Sequence, residues 1–501
     1  MQIQTDQRLL SDLEWQQLQA EAASLLVRAS AKVVATCLDN TPAFLAIDAA
    51  AQNLGLVHVP LPVFFTPEQM QHALQSAGVD TLIVNVSVAS NWKQAPRADF
   101  SLLDEDLACI SLVNQSCDVP KGTSKITFTS GTTAQPKGVC LSTATMLSVA
   151  KSLAIATESM RLTRHLNALP FAVLLENIAG VMAPAQIGAT LITLPLAQLG
   201  WRGASGFDVA MFHAAVLKYE PNSMVLLPQM LRAWCAYLTQ TQQTAPSCLR
   251  MVAVGGAPVG ETLIHQAHQL GLPAFEGYGL SEGSSVQTLN LPHQICAGSV
   301  GKPLPHAKVR IAEDGEICVK GDSVMVGYYK NPEATAEAID PDGWFHTGDI
   351  GMMVDGKYLK ITDRKKEIFK TSGGKYVAPQ LVENKLKESA FIEQCMVVGE
   401  GQKFPSALII PEFNALQVWA DQQGIKAKGP EALIKNKEII QKLDEEVLDT
   451  MASVAKYEQV KKFVLLPRLF TVADGEITPT LKLKRKAIYA KHEKAILALY
   501  E

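Results

Sequence analysis

The length, composition and charge of the chain exclude several classes of protein. It has 501 residues, of which 48% are hydrophobic and 19% are charged, and its formal net charge is −4. One hydrophobic core rarely fills a chain this long, so two or more domains are expected. The slight acidic excess gives no electrostatic footprint for a nucleic-acid partner. The profile is that of a soluble globular enzyme.

Cysteine usage and the N-terminus predict a cytoplasmic protein. The nine cysteines are odd in number and form neither a CxxC pair nor a metal-ligand spacing. They are therefore expected to be buried thiols in a reducing compartment. The first segment, MQIQTDQRLLSDLEWQQLQAEAA, is polar and helical in pattern, unlike the basic and then apolar regions of a signal peptide.

Short β-branched runs alternate with segments of helical periodicity through most of the chain. The runs are VVATCL, VHVPL, TLIVN, KITFTS, ATLITL, SMVLL and MVAVGG. This alternation predicts parallel α/β sheets covered by helices. From about Gly301, shorter runs between turns, KVRIAEDGEICVKG and GKYLKITD, predict a small antiparallel β unit.

The stretch 168–200 is long and apolar enough to suggest a transmembrane helix, because Glu176 is its only charged residue. Pro184, Pro195 and several Asn, Gln and Thr residues argue against that interpretation. A buried helix that leads through Gly188 into the strand ATLITL is predicted instead.

The last part of the chain is predicted to be a smaller domain. It combines a short α+β unit, charged helices between Glu431 and Lys461, and a Lys-rich tail. The predicted fold is therefore α/β, with a large N-terminal domain of parallel subdomains plus the small β unit over residues 1–363. A small α+β domain follows over residues 364–501.

The most informative segment is KITFTSGTTAQPKGVCLS, a strand followed by a loop dense in Ser, Thr and Gly with one lysine. Hydroxyls, glycine amides and an ammonium that converge after a strand can bind a phosphate. The segment is not a Walker loop, because five residues separate Gly131 from Lys137 and a glycine follows the lysine. Taken alone, it could also be a flexible surface loop.

TSGTTAQPKG closely resembles the phosphate-binding signature of the adenylate-forming superfamily, which includes acyl-CoA synthetases, luciferases and peptide-synthetase adenylation domains. The family's other signatures are matched in order by GGAP, EGYGLSEGS, GEICVKGDSVMVGYYKNPEAT, DGWFHTGDIG, YLKITDRKKEIFKTSGGKYVAPQLVEN and GEITPTLKLKRKAI. The form DRKKE with GGKYVAPQLVE most resembles the long-chain acyl-CoA synthetase branch. The resemblance implies an AMP-forming acid–thiol ligase that uses ATP, Mg²⁺ and coenzyme A.

The resemblance implies roles for residues of the first domain. Lys137 and Glu282 are expected to be catalytic, with Glu282 holding Mg²⁺, which suits a carboxylate beside ATP phosphates. Tyr278 is expected to stack on adenine, and Ser281, where the family usually has threonine, to meet the α-phosphate. The other implied ATP- and AMP-binding residues are Thr129, Ser130, Gly131, Thr132, Thr133, Gly255, Gly256, Ala257, Gly277 and Gly279.

The resemblance extends to the following segments. It implies that Asp349 and Arg364 contact the ribose hydroxyls and that Lys366 is a hinge about which the small domain moves. It also implies that Gly373 and Gly374 line a thiol tunnel. As a turn residue beside a glycine, Asp349 could also be purely structural.

The terminal signature is expected to supply the lysine that caps the adenylation site. Lys482 is assigned to this catalytic role, because Lys-Leu-Lys-Arg from that position fits the family's Lys-Ile-x-Arg, and Lys484 is the competing candidate. A solvated cationic tail is the remaining alternative. At Asp363 the chain departs from the glycine that many members have.

The segment LPFAVLLEN, Leu169 to Asn177, lies where family members shape the acyl pocket. Val173 replaces a common histidine, and Ala172 stands where amino-acid-activating relatives have an aspartate. An α-amino acid is disfavoured, because its ammonium would be buried without a partner. A hydrophobic, fatty acid is expected. Transfer to the phosphopantetheine of an acyl carrier protein, and a non-catalytic adenylate-binding protein, are the alternatives.

Overall fold

The chain divides into two units whose segments alternate along the sequence. In the computed structural model, unit 1 comprises Met1–Arg310, Cys318–Thr347 and Val354–Leu359, and unit 2 comprises Ile311–Ile317, Gly348–Met353 and Lys360–Glu501. The structure describes residues 1–63, 65, 67–92, 95–112, 119–129, 137–203, 206–471, 474–477 and 483–501. The assignment of 1–363 and 364–501 to separate domains stays a prediction.

One sheet of unit 1 has eight strands among the described residues. Its order is Gly327–Tyr328, Lys137–Leu141, Lys125–Thr129, Val57–Pro60, Val33–Cys37, Thr81–Asn85, Glu105–Ser111 and Arg97–Leu102. The four middle strands pair in parallel and the outer strands pair antiparallel. The middle strands are rich in buried Val, Ile and Ala, as expected for strands covered on both faces.

A second sheet of unit 1 has nine strands in the described part of the chain. Its order is Lys302–Pro303, Ser285–Leu289, Ala274–Leu280, Met251–Val254, Ser223–Leu226, Arg164–Leu166, Thr190–Ile192, Ile3–Gln4 and Leu9–Leu10. The strands from Ala274–Leu280 through Ile3–Gln4 are parallel. Because their carboxyl ends share one edge, the loops that follow Met251–Val254 and Ala274–Leu280 come together there.

Several helices of unit 1 are preceded by a residue whose side chain accepts from a free backbone N–H group of the first turn. Ser11 accepts from Glu14 N, whose carboxylate accepts from Ser11 N in return, and Thr41, Ser142 and Asp208 cap later helices. The helices are Asp12–Arg28, Pro42–Asn53, Pro67–Ser76, Thr143–Ala156, Ala183–Gln186, Val209–Tyr219, Pro228–Gln240, Glu261–Gln269 and Pro332–Ala338. The 3₁₀ turns are Val86–Trp92, Glu158–Met160, Leu196–Leu199 and Ser281–Gly283.

The apolar stretch 168–200 does not form one long helix. It contains the π-helix Glu176–Met182, the short helix Ala183–Gln186 and the strand Thr190–Ile192, with Gly188 at a φ of +70° between them. The predicted buried helix that leads through Gly188 into this strand is present, and most of its length is a π-helix. Among the described helices, none has the length and apolar character needed to cross a membrane.

A buried charged cluster lies beneath the strand that leads to the predicted phosphate loop. The ammonium of Lys125, fully buried, donates to the Asp48 carboxylate at 2.9 Å and to Asn177 Oδ1 at 2.6 Å. His58 Nδ1 lies 2.6 Å from the other oxygen of Asp48. Burial favours the neutral acid, but Lys125 and His58 hold the pKa of Asp48 below its ordinary value. The cluster anchors Lys125 at the first position of the strand.

The small β unit predicted from Gly301 is present. Its strands are, in spatial order, Ala307–Ile311, Glu316–Gly321, Phe345–Val354 and Tyr358–Arg364. Two-stranded ladders pair Trp201–Arg202 with Gly206–Phe207, and Phe369–Lys370 with Tyr376–Val377.

Unit 2 is built around a small mixed sheet. Within the described residues its order is Ile392–Val398, Ser406–Pro411 and Lys462–Leu465, with one antiparallel and one parallel pair. The helices are Pro379–Leu386, Phe413–Gln422, Pro430–Leu433, Lys437–Met451 and Arg485–Leu497. Ile409 and Leu443, both fully buried, belong to the core that these elements enclose.

Candidate functional site

A glycine turn follows the strand Met251–Val254 in unit 1. A Cβ atom at Gly255 would lie 3.1 Å from the carbonyl oxygen of Gly277 on the neighbouring strand. Gly256 has a φ of +82°, which disfavours residues with a side chain. The structure thus places the turn Gly255–Ala257 beside Gly277, and the binding of adenine by these residues stays a prediction.

The motif that begins at Glu276 lies against this turn. The Glu276 carboxylate accepts from Val259 N at 3.1 Å, and burial raises the pKa of Glu276 to about 7. Tyr278 is largely buried. A Cβ atom at Gly279 would lie 2.0 Å from the carbonyl oxygen of Ser285, so the tight approach of these strands requires glycine.

Lys137, Tyr328 and Glu282 form a cluster in unit 1. The strand pair Val139 with Tyr328 places the tyrosine ring 4.8 Å from the Lys137 ammonium. Tyr328 Oη donates to Glu282 Oε1 at 2.9 Å. Burial and the Glu282 carboxylate raise the pKa of Tyr328, so its hydroxyl stays a donor. The structure therefore joins the two predicted catalytic residues of this unit through a tyrosine.

Sequence reasoning did not assign Tyr328, although it lies in the matched segment GYYKNPEAT. Its position depends on pairing between strands nearly two hundred residues apart in the chain. The sequence offered one signal for this residue, the pair of adjacent tyrosines in the matched segment.

The predicted phosphate loop lies mostly outside the described residues. Its flanking strands pair so that Thr129 is opposite Lys137. The two ends of the loop are therefore adjacent, and the lysine stands at its exit. The predicted ligands that lie outside the described residues are Ser130, Gly131, Thr132 and Thr133.

Ser281 and Glu282 are the first two residues of the 3₁₀ turn Ser281–Gly283, which directly follows the strand Ala274–Leu280. Among the described residues, no group of three or more His, Cys, Asp and Glu could hold a metal ion. Mg²⁺ does not need such a group, because it is commonly held by one or two carboxylates plus substrate phosphates. Glu282, a carboxylate already oriented by the Tyr328 hydroxyl, fits that chemistry.

Asp349 and Arg364 are paired within unit 2. Arg364 Nε lies 2.9 Å from Asp349 Oδ1, and the aspartate is 4% exposed. The next residue, Lys365, contacts Asp314 at 2.6 Å and Glu316 at 2.9 Å. The structure thus brings the two predicted ribose ligands together, with the carboxylate held beside a guanidinium.

Asp363, the departure from the family's glycine, has a structural role. Its side chain is fully buried and accepts from Gln380 N at 2.9 Å, in the first turn of the helix Pro379–Leu386. That helix has no side-chain hydrogen bond from its own cap residue, Ala378. Burial raises the pKa of Asp363 to about 7. The aspartate therefore ties the end of one strand to the start of this helix.

The predicted hinge and tunnel residues lie in tight turns of unit 2. Glu367 N and Ile368 N both donate to Arg364 O, which closes a turn around Lys366. Gly373 and Gly374 lie between two short paired strands, and Gly374 has a φ of +76°. Their functional roles stay predictions.

Lys482 lies outside the described residues, but both flanks of its segment are described. Ile477 and Leu483 form an antiparallel bridge, and Lys484 N donates to Glu476 O at 2.8 Å. Lys484 is the N-cap residue of the helix Arg485–Leu497. The described residues on the two sides of Lys482 are thus held together by backbone contacts.

The predicted acyl-pocket segment is anchored by buried amides. Asn40 donates to Leu169 O at 2.8 Å and accepts from Phe171 N at 2.8 Å. Asn167 donates to Glu176 Oε1 at 2.9 Å. Ala172 is buried and Val173 is partly buried. Neither side chain carries a charge, and the apolar character of the acyl pocket stays a prediction.

Burial raises the pKa of Glu176 to about 8, so this carboxyl is neutral at pH 7. Because the folded-state value exceeds the unfolded one, the native state binds the proton more tightly, and stability is lost as pH rises from about 4.5 towards 8. Glu176→Gln has a neutral side chain at every pH. The melting temperature of the variant minus that of the wild type should therefore rise between about pH 4.5 and 8 and stay constant at higher pH. Within this window, the free energy of unfolding of the wild type should fall by at most about 1.4 kcal/mol per pH unit through this group.

Thermal denaturation of both proteins between pH 4.5 and 9 measures this difference. A difference in melting temperature that is constant across the range would contradict the neutral form of Glu176.

The chain matches two protein-family models. Residues 12–329 match the AMP-binding enzyme family, and residues 366–501 match the AMP-binding enzyme C-terminal domain. These matches follow the chain order of the motifs.

Two curated relatives are fatty-acid ligases by name. The long-chain-fatty-acid–CoA ligase FadD15 of Mycobacterium tuberculosis is 41% identical over 253 residues, which cover 50% of this chain and 42% of that protein. Human long-chain-fatty-acid–CoA ligase 6 is 26% identical, with 92% of this chain and 77% of that protein covered. The match to FadD15 thus spans less than half of that protein's length.

A solved structure supports the fold. The o-succinylbenzoate coenzyme A synthetase of Bacillus subtilis, in complex with ATP and magnesium, superposes with a TM-score of 0.74 at 21% identity, covering 97% of this chain and 95% of that one. The predicted α/β architecture with a smaller C-terminal part is confirmed. Because the first family match alone covers more than half of its residues, the chain belongs to the AMP-binding enzyme family, the adenylate-forming superfamily that its motifs predicted.

Proposed function

We propose that the chain activates a hydrophobic carboxylic acid, a fatty acid, with ATP and transfers the acyl group to coenzyme A. The observation that carries this proposal is the Lys137–Tyr328–Glu282 cluster in unit 1. An ammonium and an oriented carboxylate in a family of AMP-binding enzymes suit the binding of ATP phosphates. The names of the fatty-acid ligase relatives support the choice of substrate and acceptor.

In the first half-reaction, a carboxylate oxygen of the acid forms a bond to the α-phosphorus of ATP. The bond from that phosphorus to the bridging oxygen breaks, and pyrophosphate leaves. Lys137 and the terminal lysine, Lys482, stabilise the charge on the phosphoryl oxygens. Glu282 would hold Mg²⁺, which neutralises phosphate charge when bound.

Positioning of the nucleotide is assigned to the two glycine-rich segments and to one ion pair. Gly255–Ala257 and Tyr278 receive the adenine, and Ser281 meets the α-phosphate. Asp349 and Arg364 contact the ribose hydroxyls. Holding both reactants in place converts a reaction between two anions into an effectively unimolecular step.

In the second half-reaction, the sulfur of the thiol attacks the acyl carbonyl carbon. The bond from that carbon to the phosphate oxygen breaks, AMP leaves, and the thiol proton passes to solvent. A movement about Lys366 is proposed to separate the two steps, with Gly373 and Gly374 beside the thiol. Free coenzyme A is the proposed acceptor.

The acyl group is proposed to be a hydrocarbon chain. Ala172 and Val173 give the pocket segment no partner for a substrate ammonium, so a buried amino group would lose its hydration without compensation. We propose a cytoplasmic location for the reaction, and the free thiols of the eight described cysteines are consistent with a reducing compartment.

Pyrophosphate release with a panel of acids tests the proposal. Hexadecanoate, octanoate, benzoate and several amino acids are each supplied with ATP and Mg²⁺, with and without coenzyme A. We expect release with the aliphatic acids, none with amino acids, and thioester only when coenzyme A is present. Lys137→Met, which keeps the alkyl chain and removes the charge, serves as the matched control.

Each other result identifies an alternative. Activity with amino acids and none with fatty acids would overturn the substrate proposal. Adenylate formation without coenzyme A transfer, together with loading of a carrier-protein phosphopantetheine, would change the acceptor. Nucleotide binding with no pyrophosphate release from any acid would indicate a non-catalytic adenylate-binding protein.

A further inference from the structure

Arg485 is the centre of an ion-pair network inside unit 2. Its Nη1 and Nη2 atoms donate to the two oxygens of Glu383, each at 2.7 Å, and its Nε atom donates to Glu367 Oε2 at 2.9 Å. The Glu383 side chain is 4% exposed. A guanidinium that binds one carboxylate through two parallel hydrogen bonds and a second carboxylate through its Nε–H is held in one orientation.

Glu383 is itself fixed by the backbone. Its Oε1 atom accepts from Val397 N at 2.7 Å, on the first strand of the small sheet. Glu383 lies on the helix Pro379–Leu386, whose first turn is held by Asp363. Glu383 therefore attaches the ion-pair network to the small sheet in the core of unit 2.

The network reaches the two segments to which motion and catalysis are assigned. Arg485 is the first residue of the last helix and directly follows Lys484. Glu367 directly follows Lys366, the proposed hinge residue. Arg485 thus connects the helix that follows the lysine segment, residues 478–482, to Glu367, the residue beside the hinge.

A second set of contacts fixes the entrance of the same segment. The fully buried Glu476 accepts from Arg468 at 2.9 Å through both oxygens and from Lys491 at 3.2 Å. Lys491 belongs to the helix that Arg485 begins. Both ends of segment 478–482 are therefore tied to one helix, and Arg485 ties that helix to the hinge side.

We propose that Arg485 is a positioning residue for adenylation, because it fixes the start of the helix that follows the terminal signature to the residue beside the hinge. The proposal rests on the proposed function and adds a residue that acts only through the lysine. Without the fork of hydrogen bonds, the start of the last helix would be displaced relative to Glu367, and a displacement of about 1 Å near a catalytic group can cost roughly 10²-fold in rate.

The test compares the two half-reactions in Arg485→Lys, which keeps the charge but loses the bidentate geometry. We expect the maximal rate of adenylation to fall roughly 10- to 100-fold, with the KM values for ATP and acid little changed. Thioester formation from a supplied acyl-adenylate should be much less affected. A structural role alone would reduce both half-reactions together.

A double variant separates positioning from general damage. Whichever of Lys482→Ala and Lys484→Ala slows adenylation more provides the background. If Arg485 acts through that lysine, Arg485→Lys should cost less than about 2-fold there, because residues that act as a unit are not additive. An undiminished loss in that background, or an equal loss in both half-reactions, would overturn the proposal.

Glu367→Gln provides a second variant that removes the negative charge of one partner of Arg485, weakens that hydrogen bond and leaves the Glu383 pair intact. It should show a smaller loss with the same bias toward adenylation, and it serves if Arg485→Lys does not fold, as judged by thermal denaturation. A bias of Glu367→Gln toward thiol transfer would contradict the proposal. If the wild type releases no pyrophosphate with any acid, the proposed function itself fails, which is a separate result.

Discussion

Lys482→Ala is expected to slow formation of the acyl-adenylate by about 10²–10³, which corresponds to roughly 3–4 kcal/mol of transition-state stabilisation. The reason is the loss of one preorganised positive charge at the point where phosphoryl oxygens gain negative charge. Thioester formation from a supplied acyl-adenylate should change far less, because the ammonium has no role in that step. Single-turnover release of pyrophosphate and a separate thioester assay measure the two effects.

Lys484→Ala is the matched control, because it removes an equivalent charge two residues away on the same segment. Lys484 N bonds to Glu476 O, and this backbone contact survives the substitution. Near wild-type adenylation is expected. If Lys484→Ala abolishes adenylation and Lys482→Ala is near wild type, the catalytic lysine is Lys484. If neither substitution matters, the segment is a solvated tail.

Much of the fold could be predicted from local patterns. The runs KITFTS and MVAVGG form the strands Lys125–Thr129 and Met251–Val254, because β-branched residues between turns fit a strand covered on both faces. The tight turn and the close strand approach could also be predicted from their glycines. Gly256 has a positive φ, and at Gly279 the neighbouring strand lies too close for a side chain.

The parts that were missed depend on contacts between distant segments. Tyr328 reaches Glu282 only because its strand pairs with the strand that begins at Lys137. Arg485 lay in a run that could be interpreted as a basic tail, yet its partner Glu383 is 102 residues away. Periodicity and composition contain no information about such pairings.

Two buried carboxyl residues show why a residue type alone does not determine its role. Asp363 replaces a glycine, and its buried carboxyl secures the start of a helix. Glu176 is the single charge in a long apolar stretch, and burial raises its pKa to about 8, so it behaves as a neutral hydrogen-bonding group. In both cases the protonation state follows from burial, which the sequence does not reveal.

Glu282→Gln is expected to reduce adenylation by about 10²–10³, because the loss of a metal-binding carboxylate removes several kcal/mol of charge stabilisation. The amide still fills the site and can accept from the Tyr328 hydroxyl, which lies 2.9 Å from Oε1 of the native glutamate. The defect should therefore arise from charge and not from packing. When the rate of pyrophosphate release is measured over a range of Mg²⁺ concentrations, the variant should need a higher concentration of the ion to reach its half-maximal rate.

Tyr328→Phe is the matched control for this cluster, since it keeps the carboxylate and removes only the hydroxyl that orients it. A smaller loss, roughly 10- to 100-fold in apparent Mg²⁺ affinity, is expected of a group that acts through a metal ligand. The aromatic ring, 4.8 Å from the Lys137 ammonium, is retained, so the contribution of the lysine should persist. If Glu282→Gln retains wild-type rates and an unchanged dependence on Mg²⁺, Glu282 does not hold the ion. If Tyr328→Phe is the more damaging of the two, the hydroxyl contacts the nucleotide directly and does not act through Glu282.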